Sequence, residues 1–252
     1  MNNSPAIKPK NSIKTGQIVQ LGDHFLACGD STDPELVSNL LEAHEVSLIL
    51  TDPPYGVDYV KAKEFIGSTG HKEILNDEPQ SDSKYRDFTT DWLALVKPSM
   101  TAKNSLYIFN SDRMIFALRE GMIAAGFRLS QLLIWAKTSS VIGRLDYLPQ
   151  HELIAYGWTG AHEFKKGKDH SVIVYPRTKK NNLHPTMKPV GLLRRLILNS
   201  SNIGDFVYDP FGGSGSTLIA CEQTKRRCLM IEKDEKYCQV IIDRFNKLTT
   251  SL

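Results

Sequence analysis

The sequence contains no apolar run long enough to span a membrane. Its first residues, MNNSPAIKPKNSIKTGQ, are polar and lack the apolar core of an export leader. A cytoplasmic setting is therefore expected. Cysteine is scarce: Cys28, Cys221, Cys228 and Cys238 are the only four, none in a C-x-x-C pair. No cluster of histidines completes a zinc set. The pattern argues against a disulfide framework and against a metal site, and the thiols are expected to be reduced and buried. Internal repeats and low-complexity tracts are also missing. The net charge of +3 is too small to identify a polyanion-binding protein by itself.

Charge is present but unevenly spread. Residues 160–183 carry Lys165, Lys166, Lys168, Arg177, Lys179 and Lys180 against Glu163 and Asp169. That stretch holds net +4 in a chain of net +3. It reads either as a phosphate-contacting surface or as a solvated loop.

The rest alternates short β-rich runs with helical ones, the mark of a sheet with crossover helices. Strands are expected at 24–28, 46–51, 105–110, 129–137, 151–157, 205–209 and 227–232. Several are continuous apolar runs, as in strands covered on both faces. Helices are expected at 34–43, 84–97, 112–126, 189–201, 214–224 and 234–248. Asp33 is the expected N-cap of the first, with Pro34 at its first position. Residues 56–83 and 158–183 show no clear period and are longer than ordinary connections.

Two motifs stand at strand ends. Asp52-Pro53-Pro54-Tyr55 follows the strand VSLILT. The prolines remove two N–H donors and leave carbonyl acceptors, Asp52 adds a carboxylate, and Tyr55 adds a flat apolar face. Acceptors beside a stacking surface suit an amino group on a planar heterocycle. A rigid strand-ending turn is the plainer alternative. Asp209-Pro210-Phe211-Gly212-Gly213-Ser214-Gly215 closes another apolar strand and opens a helix. Glycines there permit tight turning and close backbone approach to a ligand. The run lacks the Lys-Ser/Thr ending of a phosphate loop and departs from G-x-G-x-x-G spacing. Glu232 lies 17 residues past Gly215, at the end of the next expected strand. That is about where an acid holds ribose hydroxyls in nucleotide-binding units.

Together these motifs resemble the amino-methylating DNA methyltransferases, which act on adenine N6 or cytosine N4. The resemblance spans roughly residues 20–246. TDPPYG resembles the catalytic motif, which implies Asp52, Pro53, Pro54 and Tyr55 as catalytic residues. DPFGGSGST resembles the cofactor motif, which implies Asp209, Phe211, Gly212, Gly213, Ser214 and Gly215 against S-adenosylmethionine. Asp52, Glu232 and Lys233 join that set, and Asp30 of CGDST is implied at the cofactor's adenine. HPTMKP resembles the segment that holds the methionine end, through Thr186 and Lys188. The catalytic motif precedes the cofactor motif, as in the permuted β-type arrangement of the family.

The resemblance implies a Rossmann-like class I α/β fold with a seven-stranded, mostly parallel sheet and helices on both faces. The strands ending at Asp52 and Asp209 are then expected side by side. Residues 1–16 are expected as a flexible tail, and 17–252 as one domain with a small target-recognition insertion at about 158–183. Lys165, Lys166, Lys168, Arg177, Lys179 and Lys180 are its expected DNA contacts. DNA is the implied partner, with a homodimer and a companion restriction endonuclease as further partners. No metal is expected. Asp52 favours adenine, because cytosine-N4 relatives more often carry Ser there. A cytosine-N4 enzyme stays open as the alternative, then a non-catalytic DNA-binding regulator or an RNA methyltransferase. Three further expectations concern single residues. Trp135 belongs to the core, His151-Glu152 is structural or DNA-orienting and not an acid–base pair, and Arg194-Arg195 is a solvated face.

Overall fold

The computed structural model describes residues 13–55, 80–140, 146–177 and 187–250. Among these residues nine strands form one sheet: β1 Ile18–Leu21, β2 His24–Cys28, β3 Val46–Thr51, β4 Met100–Asn110, β5 Arg128–Ala136, β6 His151–Trp158, β7 Val172–Val174, β8 Phe206–Asp209 and β9 Arg227–Glu232. Among the same described residues six α-helices accompany them: α1 Pro34–Leu41, α2 Asp82–Val96, α3 Ile115–Ala124, α4 Val190–Ser200, α5 Ser216–Thr224 and α6 Glu235–Thr250. The strand order is β1-β2-β9-β8-β3-β4-β6-β5-β7. The centre, β2-β9-β8-β3-β4, is parallel throughout. Antiparallel pairing enters at β1–β2 and at β4–β6–β5.

The expected α/β class holds, but the strand count is nine and not seven. Both extra strands are short edge elements. β1 is the outer arm of a hairpin turned at Gly22, whose φ of 59° is the left-handed conformation glycine adopts freely. β7 is three residues long and lies inside the 158–183 stretch, which shows no clear period in the sequence. Three residues are too few for an alternation to be read.

Side-chain alternation explains why the central strands are apolar throughout. Leu48 and Leu50 of β3, Tyr107 and Phe109 of β4 and Val207 of β8 join one core cluster with residues of α4, α5 and α6. Val46 and Ile49, Leu106 and Ile108, and Phe206 and Tyr208 join the other, with residues of α1, α2 and α3. Both faces of the sheet are thus covered, as a parallel sheet requires. Asp33 caps α1 by accepting from the amides of Glu35 and Leu36.

The N-terminal boundary also moves. Ile13 is buried in the core, Lys14 pairs with Glu235 at 3.0 Å, and the Gly16 amide donates to the Cys28 carbonyl. The chain therefore joins the fold ahead of residue 17. The four cysteines are free and buried, and Trp135 is core, as expected. Arg195 departs from the solvated-face expectation: it clamps Asp169, which also accepts from Asn199 at 2.7 Å. That clamp holds Asp169 well below the usual carboxylate range and ties the 158–177 stretch to α4. Among the described residues no helix is long and apolar enough to cross a membrane.

Candidate active site

β3 and β8 are adjacent and parallel, so their carboxyl ends open on the same edge of the sheet. Asp52-Pro53-Pro54-Tyr55 leaves the first and Pro210–Gly215 leaves the second. One cavity is lined by both motifs, by Gly29-Asp30-Ser31 after β2, and by Glu232-Lys233-Asp234 after β9. Phe109, Glu152, Met187 and Lys188 complete its wall. This is the carboxyl-end crevice in which open α/β sheets place ligands.

The two motifs are joined below the cavity floor. Thr51 Oγ1 donates to Asp209 Oδ1 at 2.7 Å, and the Phe211 amide donates to the same oxygen at 3.1 Å. Burial pushes the Asp209 carboxyl up to about 6 despite these donors. Phe211 is held by Phe88 and by an edge-on Trp92, with ring centroids 5.6 and 5.5 Å away.

Glycine is required in the turn mainly by the protein itself. A Cβ on Gly212 would lie 2.7 Å from Met230 Cγ and 2.8 Å from its sulfur. Gly215 has φ of 80°, and a Cβ there would lie 3.0 Å from Ile241. Gly213, at φ 52°, turns its amide onto Glu232 Oε2 at 2.6 Å, while Oε1 accepts from the Asp234 amide at 2.8 Å. Burial still raises Glu232 to about 7. Arg244 on α6 donates to the Ser214 carbonyl and, at 3.1 Å, to its hydroxyl. Across the cavity mouth, Asp30 accepts from Lys233 Nζ at 2.8 Å and from the Thr32 amide at 2.9 Å. These donors outweigh burial and hold Asp30 below its usual range.

Beside Asp52 lies a connected charge network. Tyr55 donates its hydroxyl to Asp52 Oδ1 at 2.6 Å. Lys188 Nζ is bonded to Asp52 Oδ2 and lies 3.2 Å from Glu152 Oε2. Glu152 Oε1 is 2.7 Å from Lys137 Nζ. Burial, opposed by Lys188 and helped by Glu152, raises the Asp52 carboxyl. Burial and both carboxylates push the Tyr55 phenol well above its usual value, so it stays a donor. Burial opposes charge on Lys188 and Glu152 as well, but their partners outweigh it and keep both ionised.

Residues 46–173 and 165–243 match the family model of the N6/N4 methyltransferases, described as DNA methylase. The chain belongs to the N6/N4 DNA methylase family. Among curated relatives, the Type II methyltransferase M.HpaI of Haemophilus parainfluenzae is 27% identical over 82% of this chain and 70% of its own length. The Type II methyltransferase M2.LlaDCHI of Lactococcus lactis subsp. cremoris is 24% identical over 83% and 86%. Two solved structures share the fold. The M1.HpyAVI–SAM complex has a TM-score of 0.64 at 23% identity, over 87% of this chain and 98% of that one. The cytosine-N4-specific PvuII DNA methyltransferase has a TM-score of 0.64 at 16% identity, over 88% and 92%.

The methylase brings most of the sequence-expected site residues to one cavity: Asp30, Asp52 to Tyr55, Lys188, Asp209, Phe211 to Ser214, Glu232 and Lys233. Gly215 stands behind it, under α6. Thr186, Lys179 and Lys180 lie outside the described residues, as does most of 56–83. Lys165 pairs with Glu163 at 2.7 Å, and Arg177 donates to Ser139 Oγ at 3.0 Å. Lys166 and Lys168 are exposed. The wall residues Glu152 and Phe109, Lys137 behind Glu152, and Arg244 behind the glycine turn are not evident as site residues from the sequence. A signal exists for Glu152: an acid in an otherwise apolar strand, at a position where alternation turns it to the Trp135 side and leaves His151 exposed.

Proposed function

We propose that this methylase transfers a methyl group from S-adenosylmethionine to N6 of adenine in DNA. The observation that carries the reading is the Asp52 carboxylate with its Pro-Pro-Tyr turn, opening into the same cavity as the glycine turn and Glu232.

The side chains suit the donor molecule. Glu232 presents a half-buried carboxylate, an acceptor matched to ribose hydroxyls. Asp30 offers a second acceptor for an adenine amino group, and Phe211 a flat apolar wall. When bound, S-adenosylmethionine supplies a methyl group already activated on a sulfonium. The relative solved with this molecule, M1.HpyAVI, shares the fold.

The remaining task belongs to the protein. An amino group conjugated to a ring is a poor nucleophile because its lone pair is delocalised. Asp52 and the Pro53 carbonyl accept its hydrogens, favour a pyramidal nitrogen and aim the freed lone pair at the methyl carbon. The bond from nitrogen to methyl forms as the bond from sulfur breaks, and the nitrogen then sheds a proton toward the Asp52 side. Positioning and fixed charge carry the rate. The base must leave the duplex to reach Asp52, and Tyr55 is the face on which it stacks. The exposed basic side chains of the 158–183 stretch are the proposed DNA contacts, where phosphate contacts position and base contacts specify.

Asp at position 52 supports adenine, since cytosine-N4 relatives more often carry Ser. Cytosine N4 is the second reading, because the fold is shared with the cytosine-N4-specific PvuII enzyme. The curated relatives are Type II methyltransferases, which supports a place in restriction-modification. The test is transfer of labelled methyl from S-adenosylmethionine to unmethylated plasmid. Wild type is expected to label the DNA, and Asp52→Ala to bind the donor yet label nothing. No label with wild type on double- or single-stranded DNA would overturn the proposal.

A further inference from the structure

The four charged groups beside the cavity hold one arrangement that works against the proposed chemistry. Asp52 has two oxygens facing its neighbours, and both are engaged. Oδ1 accepts from Tyr55 and Oδ2 from the Lys188 ammonium. Each oxygen keeps a second lone pair for a target amino group. The carboxylate's negative charge is shared with the ammonium, however, and the chemistry draws on that charge because the nitrogen turns cationic as the methyl group arrives. A resident ammonium opposes this.

Lys188 already has a second acceptor. Glu152 Oε2 lies 3.2 Å from its Nζ, and the ammonium sits over the Phe109 ring at 5.1 Å. Glu152 comes from β6, Lys137 from just past β5, and Lys188 from just before α4, and Tyr55 of the Asp52 turn touches the Glu152 carboxylate at 3.5 Å. Lys137 occupies the other Glu152 oxygen and fixes the carboxylate in place. An unbranched lysine stem can pivot between neighbouring acceptors by rotamer change alone. The groups facing this network are Asp52, Tyr55, Glu152, Lys137 and Lys188, with Asp209 behind Asp52.

We propose that Lys188 is a positioning residue that occupies Asp52 in the resting site and moves wholly onto Glu152 when the target amino group arrives. The inference rests on the amino-methylation reading above. Glu152 is then the landing site that allows Asp52 to be vacated, and Lys188 guards Asp52 from protonation and from stray cations between turnovers.

The distinguishing experiment measures methylation rates on unmethylated plasmid at saturating S-adenosylmethionine. Wild type, Glu152→Gln, Lys188→Met and the double variant are compared, with thermal unfolding as the check on folding. Glu152→Gln leaves the ammonium on Asp52 and is expected to lose about a hundredfold, the scale of a misplaced reacting group. The double variant is expected to recover at least tenfold of that loss, because the occupant has gone with its landing site. In Lys188→Met alone the acidic limb of the pH profile is expected to move up by about one unit, as losing an adjacent opposite charge requires. A merely structural network would make the double variant no faster than Glu152→Gln, and that result overturns the inference alone. Absence of methylation by wild type overturns the functional reading as well.

Should Glu152→Gln fail to fold, a crystal structure of wild type with donor analogue and methylatable duplex decides. Lys188 on Glu152 and off Asp52 supports the proposal, and Lys188 still on Asp52 beside the bound base overturns it.

Discussion

Thr51 donates its hydroxyl to Asp209 across 2.7 Å, tying the last residue of β3 to the last residue of β8. One motif begins at position 52 and the other at 209, far apart in the chain, and this bond ties them together beyond the backbone pairing of β3 with β8. Replacing Thr51 by Val keeps the shape and removes the donor. The buried Asp209 carboxylate then loses a partner, for an expected cost of about 1–3 kcal/mol. Its pKa, already raised to about 6, rises further. The deficit in urea unfolding is therefore expected to be larger at pH 8 than at pH 5, where the carboxyl is protonated in both proteins. An equal loss at both pH values would mean that the bond contributes only shape.

Glu232 gives a pH dependence of definite sign. Its carboxyl sits near 4.5 when unperturbed and at about 7 in the folded protein, because burial disfavours the charge. The folded state therefore holds this proton more tightly than the unfolded state does. Its contribution to stability falls as pH rises from about 4.5 to about 7 and is constant beyond. Donor binding runs the other way, since ribose hydroxyls donate to the ionised form. Affinity for S-adenosylmethionine is expected to climb through pH 7, by up to about tenfold per unit below it. Glu232→Gln should flatten both trends, read by calorimetry and by unfolding. Asp209 titrates in an overlapping range, so the wild-type minus variant difference is the quantity to follow.

Gly212 is expected to tolerate no side chain. An added Cβ meets Met230 Cγ at 2.7 Å and the Ile231 carbonyl oxygen at 3.2 Å, so β9 or the turn has to shift. Gly212→Ala should cost about 1–3 kcal/mol by overpacking and weaken donor binding as the turn moves. Thermal unfolding with and without S-adenosylmethionine checks both. Unchanged stability with lost binding would instead mean that the glycine clears space for the ligand.

Much of the fold is legible in the sequence. The strands at 24–28, 46–51 and 227–232 fall where their apolar runs predict, and the β3–β8 adjacency is the one the family resemblance implies. Reading fails where local pattern carries little. β4 begins at Met100 and not at residue 105: Met100 pairs with Val46, the register then shifts, and pairing with β3 resumes at Ser105, while the polar Lys103 and Asn104 break the apolar run and meet Ala161 instead. The sequence singles out Glu152 only beside His151, as structural or DNA-orienting, since its partners Lys137 and Lys188 reach it from separate elements. Arg195 looks like a solvated helix residue, since nothing local to it signals Asp169. Long-range ion pairs leave no periodic trace.

The basic stretch makes a separate prediction about salt. Lys166 and Lys168 are exposed, whereas Lys165 and Arg177 already have partners. A Lys166→Ala, Lys168→Ala double variant should bind duplex DNA more weakly across all sequences. The slope of log affinity against log salt should fall by about 2, one for each phosphate that is no longer neutralised. Fluorescence anisotropy between 50 and 200 mM salt, roughly the range where such charges matter, gives the slope. An unchanged slope would place DNA on another surface.

The central claim is tested most directly by the identity of the modified base. Unmethylated plasmid is treated with protein and S-adenosylmethionine, digested to nucleosides and analysed by mass spectrometry, with Asp52→Ala alongside. The account predicts N6-methyldeoxyadenosine that disappears in the variant. N4-methyldeoxycytidine, or N6-methyldeoxyadenosine that survives the loss of Asp52, would contradict it.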